Sequence, residues 1–538
     1  MSRRRILARS APLSISLSLG VFLGCRPSPA ETQPPVATCE TPAEPEMDAA
    51  EDAGPAELET DIDALSKRAA ELFEIPGMSV AVIADGKVVF ARGYGEIERG
   101  KGQRVDADTS FAIASNTKAF TATALGLLVA DGKLTWDDRV VDILPGLKLW
   151  DPWVTKALTI RDLLSHRVGT ETWAGDLMWF SPNLKKADLI ARLQYLPTKF
   201  GFREHYGYSN LMYMLAGEVI EKKSGQPWDA FIRARILEPL GMGELATSLP
   251  QLEGRENVAK AHILVEGEWR TTPYLDLEAV GAAAGFHASV NQMIPWMQMQ
   301  LDDGMYEGKE VVPASVIRET RQPHMGLPLG AEDFLEPSRN VSAYGLGWFI
   351  SDYRGELLVT HSGGMPGMIS RVLLFPGANV GVVVLTSSET IASYPLALMI
   401  ADLFLAEPGA KKKDYLAAGK ERADAAQAAD DAREIPKLEG EPPAALGGKY
   451  RNPILGPAEI RKDAEGWVFE ATEHGNLTCR LFGAGEAAQP EKLPCRWEEP
   501  SMRISEFAVE WKGKNVQSVR FKVRPDFYDP LEYTFARK

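Results

Sequence analysis

The chain has little from which to build a metal centre. Among 538 residues it holds four cysteines and seven histidines, and no set of them falls at zinc-ligand spacing. Neither H-E-x-x-H nor H-x-H occurs, so a metal-dependent hydrolase is disfavoured. Nothing in the sequence asks for another cofactor. Positive charge is also in short supply: 59 Lys and Arg stand against 74 Asp and Glu, a net charge of −15. No Lys/Arg-rich run with interleaved aromatics appears. Lys411-Lys412-Lys413 is brief and is followed by acids. So acidic a composition argues against a nucleic-acid partner and against electrostatic docking on anionic lipid. The apolar run Ala11 to Leu23 is too short to span a bilayer comfortably. What remains is ordinary globular material, 45% hydrophobic and 25% charged, enough for one large domain and a smaller one.

The first segment reads as an export signal. Arg3, Arg4, Arg5 and Arg9 form a basic start before the short apolar run. Phe22-Leu23-Gly24-Cys25 resembles a bacterial lipoprotein cleavage site, with Cys25 as the acylated first residue and Phe22 where leucine is usual. An ordinary cleaved signal peptide is the alternative. Removing residues 1–24 takes away four arginines and no acids, so the mature chain is more acidic still. Any membrane attachment is then expected through acyl chains on Cys25, with the protein in the periplasm or cell envelope. Residues 25–59 are rich in Pro, Ala, Glu and Asp and lack aromatics. Such a stretch cannot bury enough apolar surface to offset its ordering entropy, and it reads as a tether. Folded structure is expected to start at Thr60, placed to cap a helix carrying Ile62, Leu65, Ala69, Leu72 and Phe73.

Chemistry first appears at Ser115-Asn116-Thr117-Lys118, at the start of a long apolar helix. Positions i and i+3 share one helical face, so the Lys118 amine can lie beside the Ser115 hydroxyl. A serine needs such a neighbour to become a nucleophile, and the helix start adds N–H donors where an oxyanion would form. Taken alone, S-x-x-K is weak and reads equally as a capping serine and a solvated lysine. Two further segments change that. Tyr208-Ser209-Asn210 precedes another apolar helix, and His361-Ser362-Gly363 ends a short strand.

With three motifs in this order, the chain resembles the serine β-lactamase and penicillin-recognising family, built on S-x-x-K, then Y-x-N or S-x-N, then K-T-G or H-x-G. The resemblance covers about Thr60 to Ala406 and includes LTIRDLLSHRVGT from Leu158 and YGLGW from Tyr344. It implies an acyl-enzyme on Ser115. Lys118 serves as base, or as the charge that keeps a neighbouring phenol acidic. Tyr208 relays the proton, which requires its phenol to be lowered by cationic neighbours. Asn210 donates to a substrate carbonyl, and the N–H groups of Ser115 and Gly364 form the oxyanion hole. Gly363 and Gly364 let a substrate strand approach closely. His361 stands where many relatives carry lysine and is expected to hold a substrate carboxylate as a cation, with Ser362 hydrogen-bonding the same group. That departure puts efficient β-lactam hydrolysis in doubt and leaves D-peptides and esters open. His166 is expected to be scaffolding. Arg167-Val168 replaces the family's usual threonine-serine pair, and the sequence offers no account of that. The alternative reading is a catalytically idle scaffold or ligand-binding protein on the same fold.

The fold class expected is α/β (α+β): an antiparallel sheet flanked by terminal helices, with a mainly helical subdomain. Met78–Ala84 and Lys87–Arg92 read as strands joined by an Asp85-Gly86 turn. Strands are expected near Leu357–His361, Ile369–Phe375 and Val380–Leu385, and a helix from Ile391 to Leu405 closes the unit. That the two sets share one sheet is what the resemblance implies. The domain order is then a signal (1–24), a tether (25–59), a hydrolase domain (60–407), a charged linker (408–445) and a small barrel (446–538). About eight short alternating strands suggest the barrel, which resembles the lipocalin-like module of some relatives and is expected to pack rather than to bind a ligand. Cys479 and Cys495, with fifteen residues between them, either bridge, contributing about 3 kcal/mol, or stay as two buried thiols.

Overall fold

The computed structural model describes residues 55–538 apart from 181–183, 266, 330–338, 408, 410–412, 433–435, 476, 484–487, 500–501, 503 and 524–528. The export signal, Cys25 and the tether up to residue 54 lie outside the described residues. No described helix is long and apolar enough to cross a membrane.

Eight strands form one antiparallel sheet drawn from both ends of the larger domain. In spatial order they are Lys87–Gly95, Gly77–Ala84, Val380–Thr386, Met368–Phe375, Glu356–Met365, Phe349–Tyr353, Ser342–Tyr344 and Met325–Gly326. The first hairpin turns at Asp85 and Gly86, with φ of 49° and 71°, the left-handed pair that a two-residue hairpin turn needs. Gly77–Ala84 then pairs with Val380–Thr386, Met78 opposite Thr386 and Ala84 opposite Val380.

The central strands are buried on both faces because helices cover each side. Val80, Val82, Val382, Val384 and Leu373 pack with Ile62 and Ala69 of the first helix, and with Leu396 and Ile400 of the helix Ser393–Leu405. Their alternates Ala81, Ile83, Val383 and Leu385 belong to the other core, with Met293 and Met297 of the helix Val290–Leu301. A strand sandwiched this way reads as a continuous apolar run rather than an alternation, and each Val, Leu, Ile or Met among these contributes about 1.5–3 kcal/mol when buried.

The first helix runs Pro55–Leu72, five residues earlier than the sequence suggests. Proline is well tolerated at a first helical position. Thr60 does not cap: its hydroxyl donates back to the Ala56 carbonyl, 2.7 Å away, from inside the helix. The closing helix starts at Ser393 rather than Ile391. The charged stretch after it holds a helix of its own, Tyr415–Asp431, whose Tyr415 and Leu416 are buried in the core shared with Ser393–Leu405.

Beyond this, eight strands from Gly448–Asn452 to Tyr533–Arg537 close into a barrel. Closure pairs Tyr450 with Arg537 and Arg451 with Ala536. Its interior is filled by rings: Phe507 stacks on Phe521 at 5.0 Å, Phe469 meets Phe507 at 5.0 Å, and Phe535 stacks on Phe521 at 5.7 Å. Cys479 and Cys495 are bonded across neighbouring strands. The barrel docks on the larger domain through Arg192, which donates to the Ile454 carbonyl at 3.1 Å and pairs with Glu473, and through Asp529, which accepts the Leu177 N–H.

Candidate active site

The nucleophile segment is built around one accessible hydroxyl. Between Phe111 and Leu128 every residue is buried except Ser115. Ser115 sits in a 3-10 turn, Ala114–Asn116, that leads into the helix Thr117–Ala130. That helix is apolar almost all round, as befits one enclosed by other elements. Ala114 is held at φ 44°, a left-handed conformation costly for a residue with a Cβ and persisting only where its surroundings over-determine it. The surroundings here are the sheet. Asn116 Nδ2 donates to Ser370 Oγ at 2.8 Å, and Ser370 Oγ donates to the Ile113 carbonyl at 2.7 Å.

Gly363 serves this same contact. A Cβ at that position would stand 2.0 Å from the Ile113 oxygen and 2.5 Å from Ser370 Oγ. The bare backbone therefore admits the Ser115 turn, a second demand on a residue that also lines the cavity. Gly364 is less confined, its nearest clash being the Ile369 Cδ1 at 3.2 Å. Ser115, Gly364, Ser362 and His361 all line one cavity.

Lys118 is fully buried. Its Nζ reaches Ser115 Oγ at 3.0 Å, Asn210 Oδ1 at 2.7 Å and the Ala283 carbonyl at 2.9 Å. It also lies 4.7 Å from the centre of the Tyr208 ring and 5.3 Å from that of Tyr213. Burial pulls the amine down to about 7, with the Asp176 carboxylate opposing that shift. Near neutral pH the neutral amine is thus accessible, facing a serine hydroxyl at hydrogen-bond distance.

Tyr208 carries the opposite shift from the one expected. Burial pushes its phenol well above the ordinary value, and the Ser115 hydroxyl beside it only lessens the effect. The phenol is neutral, so it is an acid rather than a standing base. Its ring rests 4.2 Å from that of His166. His166 holds φ 56°, its carbonyl accepts the Gly207 N–H at 2.8 Å, and its Nδ1 accepts the Ser209 N–H at 3.0 Å. A histidine bonded this way fixes the second motif in place.

Asn210 opens the helix Asn210–Ser224. Its carbonyl takes the Lys118 bond, and its Nδ2 donates to Asp176 Oδ2 at 2.7 Å. Two of its polar bonds thus go to protein groups rather than to a substrate carbonyl. Asp176 is the member that sequence reasoning missed. It stands alone in Gly175-Asp176-Leu177, with no motif to mark it. Burial pushes its carboxyl up to about 8, reinforced by the negative charge of Asp529. Lys118 and Asp176 titrate as a coupled pair, and burial favours both in their neutral forms.

The third motif departs most from expectation. His361 is buried, and burial followed by the charge of Lys118 lowers it to about 3. Its Nδ1–H donates to the Ser362 carbonyl at 2.6 Å, and the Tyr344 hydroxyl donates to its Nε2 at 3.0 Å. His361 is therefore a neutral, fully engaged group at physiological pH. The cationic carboxylate holder read from the sequence is withdrawn.

The cavity these residues open into has a volume of about 850 Å³. Its walls are mostly apolar, with Trp173, Trp179, Phe180, Leu277, Val280, Phe349, Met365, Ile369 and Ile391 among them. Arg371, Glu389 and Arg422 supply charge, the last from the helix Tyr415–Asp431. Among the described residues no cluster of His, Cys, Asp and Glu is arranged to hold a metal ion.

Known proteins place this geometry. Residues 65–403 match the Beta-lactamase family. Penicillin-binding protein 4 of Amycolatopsis lactamdurans is 30% identical over 332 residues, covering 60% of this chain and 83% of that protein. Unguisins hydrolase ungD' of Aspergillus campestris is 30% identical over 351 residues, covering 62% of each chain. Its counterpart in Aspergillus violaceofuscus is 26% identical over 370 residues, and the chain spans 64% of its length. The octameric penicillin-binding protein homologue from Pyrococcus abyssi shares the fold at a TM-score of 0.58 and 22% identity, over 89% of this chain and 99% of its own. With residues 65–403 matched, most of the chain, the protein belongs to the Beta-lactamase family.

Proposed function

We propose that the protein hydrolyses amide or ester bonds through an acyl-enzyme on Ser115, with Lys118 as the base. The observation that carries this reading is the 3.0 Å contact between Lys118 Nζ and Ser115 Oγ, made by an amine that burial brings to about 7. The neutral amine takes the hydroxyl proton as Oγ attacks the carbonyl carbon. The N–H groups of Ser115 and Gly364 receive the developing oxyanion. Tyr208 gives its phenolic proton to the leaving amine or alkoxide and recovers one from Lys118. Water then cleaves the ester on Ser115, with proton transfer running in reverse.

Substrate chemistry follows from the cavity. An apolar wall and a neutral His361 favour uncharged acyl donors with bulky apolar side chains over compounds presenting a carboxylate to the third motif. Peptides of that kind, including those with D-residues, and hydrophobic esters fit this description. Two relatives are named as hydrolases, of unguisins, and one as a penicillin-binding protein, which supports a hydrolytic reaction without choosing among these substrates. A panel of capped apolar D-peptide amides, D-Ala-D-Ala peptides, short esters and a chromogenic cephalosporin tests it. The highest kcat/KM is expected for the capped apolar substrates, and a preference for free-carboxylate substrates would contradict the reading.

Export and anchoring through Cys25 belong to the same proposal, supported by the basic start, the short apolar run and Phe22-Leu23-Gly24-Cys25. Cys25→Ser should move the protein from the membrane fraction to the soluble fraction; unchanged fractionation would remove the anchor.

A further inference from the structure

One buried carboxylate joins the barrel to the hydrolytic site. Asp529 lies just before the last barrel strand and is fully buried. Its Oδ2 accepts the Leu177 N–H at 3.0 Å and the Tyr533 hydroxyl, while Oδ1 accepts the Leu531 N–H at 2.9 Å. The Gly175 N–H is a weaker further donor. Leu177 belongs to the 3-10 turn Asp176–Trp179, which follows a left-handed Gly175 and has no capping side chain of its own. A helical turn leaves its first N–H groups without partners. Here the acceptor comes from a residue 352 positions away. The turn it caps carries Asp176, which binds Asn210, which binds Lys118, which binds Ser115. Asp529, Leu177, Asp176, Asn210 and Lys118 are all buried.

We propose that Asp529 is a positioning residue of the hydrolytic site: the barrel's carboxylate holds the Asp176 turn against Asn210, and through Asn210 it fixes Lys118 beside Ser115. This rests on the reading of Lys118 as the base. The role goes beyond docking because the link also carries charge. Asp529 faces Asp176 and Tyr533. Asp176 faces Lys118, Tyr208, Tyr533 and Asp529. Lys118 in turn faces Asp176, Tyr208, Tyr213 and the histidines 166 and 361, both neutral. Burial raises Asp529 to about 6, so near neutral pH it is the anion and Asp176 the acid. Removing the Asp529 charge lets Asp176 ionise at lower pH, and an ionised Asp176 keeps Lys118 protonated to higher pH.

The test is the pH dependence of Ser115 labelling by an uncharged alkyl fluorophosphonate, in the full chain carrying Asp529→Asn or Tyr533→Phe. The wild-type rate is expected to rise with a midpoint near pH 7. Asp529→Asn should move that midpoint up by about one pH unit. The rate would then fall about eightfold at pH 6.5 and less than about twofold at pH 9. Tyr533→Phe, which leaves the carboxylate but removes a donor that steadies its charge, should move it the same way by less, and it carries the test should Asp529→Asn fail to fold. A midpoint unmoved in the folded variants, with or without a uniform loss of rate, would reduce Asp529 to a docking contact. A wild type labelled at Ser115 without a limb near pH 7 would instead sink the reading of Lys118, and this proposal with it.

Discussion

Gly363 and Ile113 are in direct backbone contact: a methyl group at 363 would overlap the Ile113 carbonyl oxygen, at 2.0 Å. The third motif and the nucleophile turn are thus one packing unit, so the position of Ser115 depends on a residue some 250 positions away in the chain.

Gly363→Ala should displace the nucleophile turn. Misplacing a reacting group by about 1 Å costs on the order of 10²-fold in rate. Acylation rates of that variant are expected to fall by at least this much while circular dichroism stays native. Gly364→Ala keeps its N–H and meets only the tip of Ile369, so it should stay within about tenfold on the same scale. Equal losses in both variants would show that Gly363 has no special part in seating the turn.

Lys118→Met separates activity from stability. Activity should disappear, because the proposed base is gone. The sign of the stability effect follows from the folded value of about 7 lying below the ordinary 10.5. Between those values the folded state binds fewer protons than the unfolded one, so wild-type stability climbs as pH rises through that window. The full cost of burying the charged amine is present below about pH 7. Thermal unfolding of Lys118→Met should therefore exceed wild type most at pH 6 and least at pH 10. An advantage that grows with pH would contradict this.

These two residues show what the sequence could and could not convey. Ser115 and Lys118 were legible because their relationship is local, one helical turn apart. The Asp85-Gly86 hairpin was legible for the same reason, and so were the apolar strands it joins. Thr60 misled because a threonine before an apolar run caps a helix or back-bonds inside one with the same sequence signature. The identity of His361 was legible, but its charge was not, since burial against Lys118 and Tyr344 is a tertiary fact. The same holds for the phenol of Tyr208. Asp176 and Asp529 left no trace at all, because each matters only through the other's element.

Tyr208→Phe removes the phenol proposed to protonate the leaving group and leaves the Lys118–Ser115 contact alone. Losing one positioned acid–base group typically costs 10²–10⁴-fold in rate, and acylation by amides should fall by about that range. An activated ester, whose leaving group needs no proton, should lose far less. Equal losses for both would show that Tyr208 holds structure rather than moves protons.

His361, lowered to about 3 by burial and the charge of Lys118, does not change charge near neutrality. The ratio of kcat/KM for a free-carboxylate substrate to that for a matched neutral ester should be flat from about pH 5 to 8, while unshifted histidine titrates near 6.5. A ratio falling through that window would restore the imidazolium as a carboxylate holder.

The central claim, that Ser115 Oγ is the nucleophile, is tested most directly by trapping. Protein incubated with a slowly turned-over activated ester, quenched in acid and digested, should carry one acyl group on the peptide containing Ser115, and Ser115→Ala should carry none. An acyl group on another residue, or labelling of Ser115→Ala at the wild-type rate, would contradict the account.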